Sequence, residues 1–264
     1  MKDKALSLRA SDGSIFKLEV HDTLASTALI ARDYADRGYP DRYAVFAKRQ
    51  LKSPLTGSKP QDGEFEEGMF LSCIFRPSIF PSQAPLIGAM SATALITALE
   101  EHTESHLGLG WVSDLYCNGI KIGSTTVEGK LDNFTSYEYI IVTFAVRTDK
   151  NNFPPRITDL IKQVFNSENT CIQMIMARSV INKFVGYYAH LKSSSKFMDV
   201  YRQRFILRGK TIKYESSQKK KSYRVKDVDR SSGELIVACR NGRELRISSP
   251  TFVTMPKRVR LNRD

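Results

Sequence analysis

The sequence is poor in the residues and spacings that mark many common site types. Its four cysteines, Cys73, Cys117, Cys171 and Cys239, lie far apart and mostly inside apolar stretches. No Cys-x-x-Cys spacing exists for zinc or dithiol chemistry. Reduced, buried thiols in a reducing intracellular compartment are expected, with cytoplasm and organelle matrix not distinguished. No run approaches the roughly 18 uninterrupted apolar residues of a membrane span. Met1 to Arg9 also lacks an apolar segment followed by a cleavage site, so neither membrane insertion nor export is expected. There are four histidines, of which His102 and His106 lie four apart beside Glu101 and Glu104 on an expected helix. No third ligand is evident, so no metal site is expected. No Ser-His-Asp or Cys-His set suggests a hydrolase, and Trp111 is the one tryptophan.

What is present is a core and an uneven charge. A chain of 264 residues with 41% hydrophobic content can bury more than one small domain, which suggests a larger domain plus an appendage. Residues 1–195 hold 21 of the 40 Lys and Arg and 21 of the 28 Asp and Glu, leaving 19 basic and 7 acidic side chains for residues 196–264. The net charge of +12 therefore belongs entirely to the second region. A neutral body, 1–195, and a basic C-terminal domain, 196–264, are expected, joined through the serine-rich linker Lys192 to Lys196.

Phe16, Leu18 and Val20 alternate with Lys17 and Glu19, as in a half-buried strand. Ser26 or Thr27 can cap a helix running to about Arg37, with Ala28, Ala31 and Ala35 as its apolar stripe. Tyr43 to Ala47 and Met69 to Phe75 have strand length and composition, and the polar loop between them is long enough to be functional. Leu86 to Glu104 carries helical spacing and should pack on a sheet. Gly110 to Glu128 predicts two strands around Asn118-Gly119, a strong hairpin signal. A strand at Tyr137 to Val146, a helix from Pro154-Pro155 to Phe165 and another over Cys171 to His190 follow. Five short strands between Thr211 and Met255 suggest a small barrel or sandwich.

From about Phe16 to Val253 this arrangement resembles the biotin protein ligases, relatives of the lipoate ligases. In that family Lys-Trp-Pro-Asn-Asp-Leu leads into a hairpin with Lys-Leu-Ala-Gly and then an acidic residue. Trp111, Asp114, Leu115, Lys121 and Glu128 fall into the pattern without a gap. Ser26-Thr27 resembles the Ser-Thr that contacts biotin, Ala47 with Gln50 resembles Ala-x-x-Gln before the nucleotide loop, and Leu71-Ser72 falls in the following strand. The resemblance implies an α+β fold, a mixed sheet packed with helices, followed by a small SH3-like β-barrel. It implies biotin and ATP as ligands, a biotin carrier domain as partner, and Ser26, Thr27, Gln50, Trp111, Asp114 and Lys121 as binding residues. Each also has a plain structural reading: Trp111 as a core or pocket-wall aromatic, Asp114 as a turn acceptor, Ser26-Thr27 as a cap, Lys121 as a solvated charge.

The sequence departs from the family where phosphate is handled. Gly-Arg-Gly-Arg-x-Gly should follow Gln50, but Leu51 to Lys59 offers Pro54, which has no N–H, and Leu55 in place of a bare glycine. Gly110 stands where the family has lysine, and Ser113 where it has asparagine. The strand Ile140 to Arg147 offers Thr143, Ala145 and Arg147 in place of Gly-x-Gly-x-Asn. The family's reaction forms biotinyl-AMP and passes the acyl group to a carrier lysine, so cationic and backbone donors for developing negative charge are its main assets. Losing one such donor costs about 2.7–4 kcal/mol. Arg49, Lys52, Lys59 and Arg147 are the candidates to replace them. A second, non-enzymatic function arises from the basic region, where Lys219, Lys220, Lys221, Arg224, Arg240 and Arg243 with interleaved tyrosines suit RNA, DNA or an acidic protein. A solvated basic surface is the plain alternative.

Overall fold

Alternation sets the first sheet strands. Ile15–Leu24 (β2) buries Phe16 and Leu18, exposes Lys17, and pairs antiparallel with Lys4–Arg9 (β1). The computed structural model describes residues 4–51, 65–77, 79–101, 106–132, 136–147, 172–191, 193–216, 219–239, 242–248, 253–254 and 259. β2 extends beyond the expected Val20 because it pairs in parallel with Tyr43–Leu51 (β3) as far as Leu24 opposite Gln50. A parallel pair needs a crossover, here the helix Thr27–Asp36 (α1). Ser26 caps it, its Oγ accepting the Leu29 N–H at 3.3 Å. At the other end the Arg76 guanidinium donates to the carbonyls of Ala35 and Tyr39 at 2.9 and 3.0 Å.

Phe65–Phe75 (β4), Leu107–Leu109 (β5), Asp114–Cys117 (β6), Ile120–Leu131 (β7) and Tyr137–Arg147 (β8) complete an eight-stranded sheet in the order β1-β2-β3-β4-β8-β7-β6-β5. All of its neighbours except β2 and β3 are antiparallel. The apolar stretches of β4 and β8 lie at its centre, covered on both faces as their composition demands. On one face sits α1, where Ala31 and Ala35 meet Val45, Ile74, Tyr139 and Ile141. On the other lie Ala84–Glu100 (α2) and Ile172–Tyr188 (α3), with Ser195–Arg204 (α4) packed on α2. Residues 86–96 of α2 are all buried, so the helix has no solvent face in that span.

Thr211–Ser216 (β9), Lys219–Val228 (β10), Leu235–Ala238 (β11), Glu244–Ile247 (β12) and Val253–Thr254 (β13) form a second, antiparallel sheet in the order β12-β11-β10-β9-β13. Its buried Ile212, Val225, Leu235 and Val237 belong to the same apolar cluster as α2. The seam is also polar. The Trp111 indole N–H donates to the Gly233 carbonyl at 2.8 Å, and the Ile206 and Val259 N–H groups reach the carbonyls of Leu109 and Gly119 at 3.0 and 2.8 Å. Gly233 has φ +75° and a Cβ there would lie 3.0 Å from the Pro85 carbonyl carbon, so only glycine fits without displacement.

Three expectations change. In place of a linker at 192–196, residues 193–194 turn into α4, whose buried Phe197, Met198 and Tyr201 make it part of the body, while Lys192 lies outside the described residues. Lys219, Lys220 and Lys221 open strand β10 rather than occupying a turn, because Lys219 pairs with Ser216 and Lys221 with Tyr214. α2 ends at Glu100, and His106 immediately precedes β5 rather than lying on a helix. The helix expected over 154–165 and His102 lie outside the described residues.

Gly233→Ala should cost about 1–3 kcal/mol through overpacking and shift the emission of the single tryptophan, a combination that urea unfolding followed by fluorescence would check. The turn that presents Gly233 is folded around Asp229, whose Oδ1 accepts from the Ser231 hydroxyl and N–H and the Ser232 N–H at 2.6, 2.8 and 3.0 Å. The Ser231 hydroxyl and then Arg246 hold that carboxyl far below its ordinary 3.8, against the opposing effect of burial. This stabilisation is complete above the ordinary value and is lost as pH falls through the lower folded one. Acid titration should therefore loosen the turn and shift Trp111 emission below about pH 4, and Asp229→Asn should remove that part of the transition.

Candidate functional site

Among the described residues, α1 covers only part of its face of the sheet. α1 lies over Val45, Ile74 and Ile141, and beyond its N-terminus the same face continues through Ala47 and Phe70, then Thr143, Ala145 and Arg147, then Ser124 and Thr126. Strand register places these side by side: Ser72 faces Thr143, Phe70 faces Ala145, and Ser124 faces Ala145 from the other flank. Thr126, Ser124, Thr143, Ala145 and Arg147 are half-buried and, with Ala47 and Phe70, form a floor of mostly small residues.

A chain of hydrogen bonds runs along its α1 side. The Thr27 N–H and hydroxyl both donate to Gln50 Oε1, at 2.9 and 3.2 Å. The Ser72 hydroxyl donates to Thr27 Oγ1 at 2.9 Å and lies 2.9 Å from Thr143 Oγ1. Each hydroxyl has one proton, so with Ser72 donating to Thr27, Thr143 must donate to Ser72. The proton direction is then Thr143 to Ser72 to Thr27 to Gln50. Thr143 Oγ1 ends the chain with acceptor capacity, while the NH₂ group of Gln50 supplies donors at the other end. Thr27 and Ser72 are fully buried, so the order of this chain is not scrambled by water at its centre.

Toward the β6 side the floor becomes charged. Lys121 Nζ lies 2.7 Å from Asp114 Oδ1, with both side chains largely buried. Arg147 donates to the Lys121 carbonyl at 3.4 Å. Asp114 also bonds the buried Tyr116 hydroxyl, whose pKa is pushed up by burial and then by the Asp114 charge. The backbone N–H of Gly110 donates to the Asp114 carbonyl at 2.8 Å, so the residues before β6 fold back on the acid. A Cβ on Gly110 would lie 2.9 Å from the Tyr116 ring and 3.2 Å from Asp114 Cβ. The close approach excludes a larger residue unless the loop moves.

No protein-family model matches the chain. Over 141 residues it is 26% identical to the bifunctional ligase/repressor BirA of Bacillus subtilis, covering 53% of this chain and 43% of that protein. The chain thus matches less than half the length of that curated relative. The biotin protein ligase of Aquifex aeolicus superposes with a TM-score of 0.66 at 18% identity, over 90% of this chain and 98% of the other. The chain has the fold of the biotin protein ligases. A biotin protein ligase-like protein of unknown function from Silicibacter sp. TM1040 shares it with a TM-score of 0.63 at 11% identity, over 88% and 94% of the two chains.

Within this ligase fold the expected residues divide into groups. Thr27 and Gln50 meet in one network and Asp114 and Lys121 in one ion pair, with Arg147 beside it. Ser26 is the helix cap. Trp111 is 1% exposed and its N–H is spent on Gly233, so its indole lines the seam with the second sheet rather than the open floor. Arg49 is exposed near the end of β3, opposite Glu67, while Lys52 and Lys59 lie outside the described residues. On the second sheet Lys221, Arg224 and Arg243 are exposed, and Arg240 lies outside the described residues. Lys219 and Lys220 are placed by the backbone pairing of β10. Much of the basic charge nearby is already paired: Arg202 and Arg208 with Asp227, Lys226 with Glu244, Arg230 with Asp199 and Arg246 with Asp229.

Among the described residues no group of three or more His, Cys, Asp or Glu could hold a metal ion, and no helix is long and apolar enough to cross a membrane. Cys73 and Cys117 are buried and in no disulfide, and burial pushes the Cys73 thiol up. Sequence reasoning missed Ser72 and Thr143 as one unit; the available signal was their alternation on two strands, which becomes a contact only once the register is set. Thr27→Val should cost about 1–3 kcal/mol, because it removes the hydroxyl that both Ser72 and Gln50 use, and unfolding by urea would measure it. Ser26→Ala, which removes only a cap bond, should cost about 1 kcal/mol.

Proposed function

We propose that this chain is a divergent biotin-protein-ligase-like protein that binds biotin and ATP on this floor, forms biotinyl-AMP and passes the acyl group to a lysine of a carrier domain. The observation that carries the reading is the ordered chain from Thr143 to Gln50, with an acceptor and an amide donor at opposite, half-buried ends of a row that is buried at its centre. A cyclic urea needs that combination, since its N–H groups donate and its carbonyl accepts. In this reading Thr27, Gln50, Ser72 and Thr143 hold the ring system. Lys121 and Arg147 stand on the side of the carboxyl group and phosphates, with Asp114 orienting Lys121. In the first step a biotin carboxylate oxygen attacks the α-phosphorus and pyrophosphate leaves. In the second the carrier amine attacks the acyl carbonyl and AMP leaves. Both steps gain from fixed positive charge at the reacting oxygens.

A second reading, a ligase-fold protein without ligase chemistry, is favoured by two observations. Gly110 stands where the family has lysine, in a space closed by Tyr116 and Asp114. On the second sheet Tyr214 and Tyr223 pack edge to face at 6.1 Å, half-buried, beside exposed Lys213, Lys221 and Arg224. Rings among unshielded cations suit single-stranded nucleic acid through stacking and phosphate contacts, and an acidic protein through charge alone.

Calorimetric titration with biotin, ATP and biotinyl-AMP, paired with ATP-dependent labelling of a carrier domain, separates the two. The ligase reading expects binding of biotinyl-AMP, loss of that binding in Gln50→Ala, and labelled carrier. Binding without labelling selects the second reading, and absence of both removes the ligase reading. For the second reading, affinity for a short RNA should fall steeply with salt, and Lys221→Ala should lower the log–log slope by about 0.7.

A further inference from the structure

The segment that carries Trp111 and leads into Asp114 is held from outside by residues about ninety positions later. The Tyr201 hydroxyl, on α4, lies 3.0 Å from both the Gly110 and Val112 carbonyls. It has one proton, so it serves the two carbonyls as a shared donor. The Leu109 carbonyl accepts the Ile206 N–H at 3.0 Å, just past the end of α4. Between the two carbonyls held by Tyr201, the Trp111 indole N–H donates to Gly233 of the second sheet. On the near side of the segment, Gly110 N–H closes on the Asp114 carbonyl, and the Ser113 carbonyl accepts the Thr125 N–H at 2.9 Å. Tyr201 is completely buried, and burial, then the Asp114 charge, raises its pKa well above the ordinary value. It is thus a neutral hydroxyl whose hydrogen bonds among the described residues are both to this segment.

We propose that Tyr201 is a positioning residue: by holding the Gly110 and Val112 carbonyls it sets the place of Asp114 and hence of the Lys121 ammonium on the floor. Through the bond from Trp111 to Gly233, the seating of the second sheet is then coupled to the site. The inference deepens the ligase reading, on which its effect on ligand rests, but the positioning itself does not require that reading.

The test is a double-mutant cycle with wild type, Tyr201→Phe, Lys121→Met and the double variant. Tyr201→Phe keeps the buried ring and removes only the hydroxyl, and Tyr201 makes no hydrogen bond to Lys121 in the structure. Two readouts are used: urea unfolding followed by Trp111 emission, which needs no ligand, and calorimetric binding of biotinyl-AMP. If Tyr201 acts through Lys121, the single losses do not add, and the double variant is little worse than the more damaging single one. Each single variant is expected to weaken adenylate binding about tenfold, the order of interaction seen between coupled residues. Tyr201→Phe should also move Trp111 emission toward that of a wetter indole.

Additive losses in both readouts would overturn the proposal, since a residue that merely fills space has no reason to couple to a lysine it does not bond. Non-additive unfolding with no adenylate binding by any of the four proteins would sustain the positioning and remove the ligase reading. Should Tyr201→Phe not fold, Trp111→Phe takes its place in the cycle with unfolding followed by circular dichroism. That variant removes the bond to Gly233, another outside hold on the segment, and non-additivity with Lys121→Met is again the supporting result.

Discussion

The burial of α2 on every side is the constraint on which the rest of the molecule depends. A helix with no polar face is stable only when it is enclosed, and one sheet face can cover only part of its circumference. The remaining sides are closed by α3 and α4, and the apolar cluster that results runs from Ala10 to Val259. The hydroxyls along the helix do not spoil this surface. Ser91, Thr93 and Thr97 return their protons to the carbonyls of Ile87, Ala89 and Thr93 at 2.7, 2.8 and 2.7 Å. α4 is therefore drawn into the body, and the second sheet is seated against the same core.

The two faces of the large sheet consequently differ in kind. The α2 face is filled by the buried side chains of Leu71, Cys73, Phe75, Val142, Phe144 and their neighbours. Among the described residues the opposite face carries α1, and the strands run on past its start with small and hydroxylated residues. The candidate site occupies the part of the sheet that the core does not need. Its polar groups are arranged by backbone pairing between β3, β4, β7 and β8, and the approach to Asp114 is braced by α4. Rigid elements on both sides can hold these side chains in fixed positions.

The elements were largely legible in advance because they depend on near neighbours. Alternation marked β2, the Asn118-Gly119 turn marked the β6–β7 hairpin with both residues at positive φ, and Ser26 marked the start of α1. The arrangement of the candidate site was legible in part. The residues of the hairpin pattern came together as Asp114 and Lys121, and Thr27 did find Gln50, because these lie on elements whose pairing is short-range or built into one βαβ unit. Ser72 and Thr143 stand 71 positions apart, and no local signal tells one strand which residue of another it will face. The lysine run at 219–221 was misplaced for a related reason: charge suggests a turn, but the cross-strand partner decides where a hairpin actually bends.

Composition and spacing alone were enough to divide the charge between a neutral body and a basic end, to mark the strands and helices, and to identify the hairpin frame from Trp111 to Glu128. Periodicity and turn chemistry act within a few residues, so a linear reading contains them. Packing decided the rest. The indole of Trp111 bonds a carbonyl 122 positions away, Tyr201 grips a loop 91 and 89 positions earlier, and a serine-rich stretch expected to connect two domains leads into a helix inside the core. Such contacts form only when separate elements have docked, because each buried donor takes the acceptor that the folded surface brings to it.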